Sequence, residues 1–433
     1  MINIPETKEK RIVIVGAGFA GISIAQRLCK QGYQIVLIDK NNYHQFQPLF
    51  YQVAMSGLEP ASIAFPLRKM FQRQSNVFIR VTKVERVDTV EKVLHTPFGI
   101  VNYDYLIIAI GADTNFYGNE NIQKYVIPMK SVTEALTLRN RILEDYEEAL
   151  TIPDYEDRQQ LMDIVIVGGG ATGVEVAGAL AEMKKYILPK DYHEMNYKEI
   201  DIYIIQSADR LLKGMSDNAS EGAEKFLTDL GVIVKKNVRV NDFDGHIVSM
   251  DDGTEIKANK VIWAAGITGN VIKGLPEESH CWGNRLKVNR HCQVEGVEDV
   301  FAIGDIAYME EEAFPKGHPQ VAQVAIQMGK WLAKNFSNLE KEETVKGFVY
   351  KDLGSMATIG RNRAVVDLPN FKFKGFFAWV VWLLIHLFQI IGVKNKLFIF
   401  INWVWNYWTY DQSLRLIIKT DSKEKTPEET NSQ

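Results

Sequence analysis

The chain has 433 residues, more than one ordinary hydrophobic core serves, so two or three domains are expected. A formal charge of -4, with no long basic block, argues against a nucleic-acid-binding protein. Three cysteines, Cys29, Cys281 and Cys292, form no C-x-x-C pattern; this fits a reducing compartment, excludes a disulfide framework or zinc ribbon, and leaves no metal site to expect.

The N-terminal "MINIPETKEKR" has no apolar h-region, so no signal peptide is read there. A β-branched strand, Ile12 to Val15, then runs into Gly16-x-Gly18-x-x-Gly21 and an apolar helical pattern. Gly16 permits a tight turn, Gly18 admits a pyrophosphate to the backbone, and Gly21 lets the helix pack close on the strand. The helix N-terminus supplies free N–H donors for the phosphates. A second strand, "QIVLID", ends in Asp39, near the offset of a ribose-binding acid. A glycine-rich turn with no ligand is the competing reading.

The pattern recurs at 163–182, "DIVIVGGGATGVEVAGALAE", with Gly168-x-Gly170-x-x-Gly173, and "IDIYII" supplies its second strand. Gln206 stands where Asp39 stands in the first copy. Two cradles imply two dinucleotides and electron transfer between them. "VNYDYLIIAIGAD" (101–113) and "NKVIWAAGITGN" (259–270) each read as a strand running into Gly. "VEDVFAIGDIAYM" (297–309) reads as a strand ending in Gly304-Asp305, with an apolar helix from about Pro319. Asp305 either accepts from cofactor hydroxyls or caps the next helix.

Near residue 375 the composition changes, and five of the eight tryptophans follow. "GFFAWVVWLLIHLFQIIG" (375–392) is apolar on nearly every side, "VKNK" breaks it, and "LFIFINWVWNYWTY" (397–410) carries Asn402 and Asn406 as one polar stripe among aromatics. Neither segment reaches the roughly 20 apolar residues of a bilayer span. Two interfacial helices lying in one leaflet are expected, with Lys372, Lys374, Lys394 and Lys396 against anionic headgroups. A transmembrane hairpin and a buried dimer interface remain as alternatives. The closing "DSKEKTPEETNSQ" reads as a disordered tail.

These residues resemble the two-dinucleotide-domain flavoproteins of the glutathione reductase class. Within it, four stretches are similar to the type II NADH:quinone oxidoreductases, single-subunit and non-pumping: "NNYHQFQPLFYQVAMSGL" (41–58), "GGGATGVEVAGALAE" (168–182), "PQVAQVAIQMG" (319–329) and "GSMATIGRNRAVVD" (354–367). The resemblance implies an α/β fold of two Rossmann-like domains plus a C-terminal amphipathic membrane segment. Its divisions fall at 1–115 and 291–370 for the FAD domain, 116–290 for the NAD(P)H domain (core 160–270), 371–412 for the membrane-associated helices, and 421–433 for the tail.

FAD contacts carried over from the resemblance fall on Gly16, Gly18, Phe19, Ala20, Gly21, Asp39, Lys40, Val84, Ala109, Gly111, Asp305 and Ala322. Those for NAD(P)H fall on Gly168, Gly170, Ala171, Thr172, Gly173, Glu175, Gln206, Ala265 and Gly266. Catalytic roles fall on Glu175, Gln323 and Gln327. NADH would give up its electrons through FAD to a membrane quinone. Attachment would be monotopic, at the cytoplasmic face of the inner membrane, in a homodimer. Gln323 and Gln327, one turn apart, either meet the quinone or satisfy backbone groups; Glu175 either meets the nicotinamide or quinone, or is a solvated first-turn residue. The family usually has Glu at the position of Gln206; the neutral side chain, with Arg210 nearby, predicts NADH use with NADPH accepted.

Cysteine placement separates the relatives. A flavin–dithiol relay needs a Cys pair soon after Asp39, and none lies between Cys29 and Cys281. A sulfide:quinone oxidoreductase-like enzyme would have to use Cys281 and Cys292. A redox-signalling FAD protein resembling apoptosis-inducing factor is the non-respiratory alternative, against which the Trp-rich helices and paired glutamines speak.

Overall fold

The computed structural model describes residues 2–412 and 414–418; the expected tail at 421–433 lies outside them. The first cradle consists of strand β1 (Arg11–Val15), helix α1 (Phe19–Leu28) and strand β2 (Gln34–Asp39). The second consists of β3 (Ile164–Val167), α2 (Ala171–Glu182) and β4 (Ile202–Gln206). Each sits in a five-stranded parallel sheet. In one the order is Val300–Ala302, Tyr105–Ile108, β1, β2, Val77–Val81. In the other it is Ile127–Pro128, Lys260–Trp263, β3, β4, Ile233–Lys236. The central strands are buried along their length, which explains why they read as unbroken β-branched runs.

Helix α3 (Ala322–Glu340) packs on α1 and closes the first sheet. It begins three residues after the expected Pro319. Beyond it, Ser355–Thr358, Ala364–Asp367 and Lys372–Lys374 form an antiparallel sheet. Helices α4 (Phe376–Gln389) and α5 (Val393–Thr409) follow. The expected break at "VKNK" falls earlier, because Gly392 takes φ +88° and the lysines already belong to the first turn of α5. At 1.5 Å per residue, helices of 14 and 17 residues extend about 21 and 25 Å, less than the roughly 30 Å hydrocarbon core. Among the described residues no helix is long and apolar enough to cross a membrane.

The second hydrophobic core is continuous across three parts of the chain. Phe46, Leu49, Phe50 and Tyr51 meet Val176 and Leu180 of α2, Trp382 of α4 and Ile399 of α5. The aromatic stretch after Asp39 thus joins the domain of the second cradle to the C-terminal helices.

Candidate functional site

At the first cradle, the β1–α1 turn is tied to β2 by Asp39. Its Oδ2 accepts the Ala17 N–H at 2.6 Å and its Oδ1 accepts the Asn41 N–H at 2.7 Å. A Cβ on Gly21 would stand 1.8 Å from the Gly16 carbonyl oxygen, so only glycine permits this helix–turn approach. Two cavities, of about 250 and 340 Å³, share Gly16, Asp39, Lys40, Ile110 and Asn270 and form one elongated groove. Gly18, Phe19, Ala20, Ala109, Gly111, Asp305 and Ala322 line its first part and Val84 its second. Gly21 lies beneath the groove, in the packing.

Asp305 sits in a short 3₁₀ turn, Gly304–Ile306, and the next α-helix starts only at Ala322, so it caps no helix. Its carboxylate has no hydrogen bond among the described residues, while its backbone carbonyl accepts from Gln320 Nε2 at 2.9 Å. Burial raises its pKa, and the Lys130 and Arg285 charges oppose that shift. A half-buried acceptor without a donor, at the wall of a groove, fits the hydroxyl chain of a flavin dinucleotide. Lys130, Gln320 and Asn270 also line the groove and were not foreseen. Each stands on a loop distant in sequence from either glycine motif.

The second cradle repeats the first. Gln206 Oε1 accepts the Gly169 N–H at 2.9 Å, the same bond that Asp39 makes to Ala17. Gly168, Gln206 and Ala265 line a cavity of about 410 Å³, together with the unforeseen Tyr117, Arg239 and Trp263. Gly170, Ala171 and Thr172 are exposed at the start of α2, where the helix offers its free N–H groups. Gly173 is buried against the Gly168 carbonyl, and Gly266 adjoins the Tyr117 ring. Arg210 is already engaged: it pairs with Asp217 and donates to the Lys213 and Met215 carbonyls.

Glu175 is not a solvated first-turn residue. It lies in the second turn of α2, is buried, and accepts the Thr358 N–H at 3.5 Å. Burial pushes its pKa up to about 8, against the pull of Thr358 and the Trp382 indole. Two turns further along α2, Glu182 accepts the Arg361 N–H at 2.5 Å. A cavity of about 110 Å³ lies between Glu182 and the C-terminal helices, walled by Tyr51, Glu182, Thr358, Arg361 and Trp382; Glu175 reaches it only through its partner Thr358. Trp379, Leu383, Trp403 and Tyr407 belong both to this cavity and to an all-apolar groove of about 320 Å³ between α4 and α5.

The two glutamines of α3 divide their roles. Gln327 donates to the Lys351 carbonyl at 2.9 Å and accepts the Lys351 N–H at 3.1 Å, so its amide is taken by the backbone. Gln323 is half-buried and its amide has no hydrogen bond among the described residues. The cysteines line none of these cavities; Cys29 and Cys292 are buried elsewhere.

Residues 10–329 match the pyridine nucleotide-disulphide oxidoreductase family, so the chain belongs to that class of two-nucleotide flavoproteins. Residues 353–409 match the NDH2 C-terminal domain. The chain is 33% identical to the type II NADH:quinone oxidoreductase Ndh of Mycobacterium tuberculosis, over 92% of this chain and 88% of that protein. It is 28% identical to an internal alternative NAD(P)H-ubiquinone oxidoreductase A1 of Arabidopsis thaliana mitochondria, over 92% and 84%. The fold matches Plasmodium falciparum NDH2 in complex with NADH at a TM-score of 0.87, with 23% identity over 95% of this chain and all of that one. The chain is a member of the type II NADH:quinone oxidoreductase family, with FAD as its cofactor and NADH as its reductant.

Proposed function

We propose that the chain takes NADH at the second cradle, draws two electrons from it, and delivers them to a quinone that enters from a membrane surface between α4 and α5. The observation that carries this is Glu175: a buried carboxyl on the nicotinamide-binding helix, whose neighbours Thr358 and Trp382 wall a cavity that continues into an apolar groove. FAD supplies two-electron acceptance and release between the two substrates. The protein's part is to orient, to exclude water and to manage the proton. The hydride brings one proton and quinol formation takes two, so one more must be taken from water and passed on by a protein group that is then reprotonated. With its pKa raised to about 8, Glu175 holds a proton at its carboxyl oxygen near neutral pH and can release it inward. Asp305 and Lys130 hold the cofactor's polar chain, and Gln323 is the glutamine with an amide free to donate to a quinone carbonyl.

The same reading sets the exposed apolar faces of α4 and α5 in one leaflet at the cytoplasmic face of the inner membrane, on the side where NADH is available. Two copies would dock together as a homodimer; this part rests on the family resemblance.

The test is NADH oxidation by the FAD-loaded protein in vesicles, with and without a quinone. At least a tenfold stimulation is expected. A slow rate indifferent to quinone would favour a redox-signalling role. Gln323→Ala is expected to raise the quinone KM roughly fivefold at unchanged FAD content, the equivalent of one hydrogen bond of about 1 kcal/mol. An unaltered KM would remove Gln323 from the quinone site.

A further inference from the structure

We infer that Arg239 is the residue that receives the 2′-phosphate of NADPH, an inference that rests on reading the second cradle as the nicotinamide-dinucleotide site. Gln206 performs the loop-tying bond that Asp39 performs in the first cradle, so the architecture there does not require a carboxylate. The neutral amide removes the charge that would repel a phosphate on the adenosine ribose.

Arg210, the nearest cation in sequence, is held by two carbonyls of its own loop and by Asp217 at the start of the following helix. Arg239 differs in every respect. It is exposed, and its guanidinium has no ion pair or hydrogen bond among the described residues. Its backbone is nevertheless fixed: its N–H donates to Asp251 Oδ1 at 2.9 Å, and its carbonyl accepts the Asp251 N–H at 2.9 Å. The loop carrying it is bonded directly to the end of β4. The Asn237 N–H donates to the Ala208 carbonyl at 3.0 Å and the Val238 N–H to the Gln206 carbonyl at 3.2 Å. Arg239, Gln206 and Ser207 line one cavity. A planar, permanently charged fork on a pinned backbone, facing a cavity whose expected acid is an amide, suits a phosphate dianion.

The experiment titrates the FAD-loaded, full-length protein with adenosine 2′,5′-bisphosphate and with 5′-AMP by calorimetry, using competition with NADH to show that both occupy the cradle. The bisphosphate is expected to bind at least as tightly as AMP. Arg239→Ala is expected to lower the bisphosphate-to-AMP affinity ratio about tenfold, Arg239→Lys to restore part of it, and Gln206→Glu to lower it as well. A wild-type protein that binds the bisphosphate more than tenfold more weakly than AMP would overturn the proposal. So would an Arg239→Ala protein that loses affinity for both nucleotides equally, which would make Arg239 an adenine-stacking residue. A ratio that falls with Arg210→Ala but not with Arg239→Ala would also overturn it. If neither nucleotide competes with NADH while NADH itself binds, the assignment of this cavity falls, and the proposal with it.

Discussion

Replacing Glu175 by Gln is expected to lower quinone-dependent turnover at pH 7 by roughly 10²-fold while FAD and NADH still bind, in line with the contribution of a general acid. The carboxyl titrates at about 8, raised by burial, so at neutral pH it is mostly protonated and able to donate. An amide keeps the shape and a polar atom for Thr358 but releases no proton. Wild-type turnover should therefore fall as pH rises through 8, and the variant's profile should be flat there.

Stability supplies a second, opposite readout. The folded-state pKa lies above the ordinary value of 4.5, so between the two the folded chain binds the proton more tightly than the unfolded chain. Stability consequently falls as pH rises from 4.5 through about 8, and levels off beyond. Glu175→Gln removes that loss, so the variant should become more stable than wild type, by a few kcal/mol at most, progressively across this window. Thermal unfolding at pH 5 and pH 9 checks it. A variant that turns over like wild type would end the catalytic assignment; one uniformly destabilised at all pH values would show a packing role instead.

The cradles were legible because their chemistry is local. Strand, glycines and helix lie within about twenty residues, and the steric demand that puts glycine at 21 and 173 acts through the neighbouring turn. Asp39 and Gln206 were legible as a pair for the same reason, though the bond each makes to its own loop was not. Lys130, Asn270 and Arg239 left no trace in spacing, since each reaches its cavity from a separate loop. The burial of Glu175 was also hidden. It depends on Thr358 and Trp382, which lie about two hundred residues away and arrive only when the C-terminal sheet packs on α2. The glutamine pair shows the limit of periodicity: one turn apart on one helix, only Gln327 finds a backbone partner, in the irregular segment at Lys351.

Substituting both Phe388 and Trp405 by Glu is expected to release the protein from lipid vesicles, reducing partition by at least roughly 10³-fold. These two side chains are 72% and 59% exposed and lie outside the groove between α4 and α5. Burying a large apolar side chain in lipid is favourable by about 1.5–3 kcal/mol, and two introduced carboxylates add a further cost in the bilayer. The fold should survive, because the contacts that hold the helices face inward. Trp382 and Ile399 are buried in the second core. Trp403 Nε1 donates to Gln52 Oε1 at 2.7 Å, and Asn395 Nδ2 to the Ser62 carbonyl at 3.1 Å. The Arg361 guanidinium donates to the Asn406 and Tyr407 carbonyls at 2.7 and 2.9 Å. Even His386, a polar interruption in α4, turns inward: it stacks on Trp382 at 4.0 Å, and burial drives its pKa down to about 4, keeping it neutral. Co-sedimentation with anionic vesicles measures the loss. The double variant should keep its rate with a short, water-soluble quinone and lose it with a long-tailed quinone held in the bilayer. If it still sediments with vesicles, the outer faces of α4 and α5 are not the membrane contact, and their apolar surface must serve the association of two copies instead.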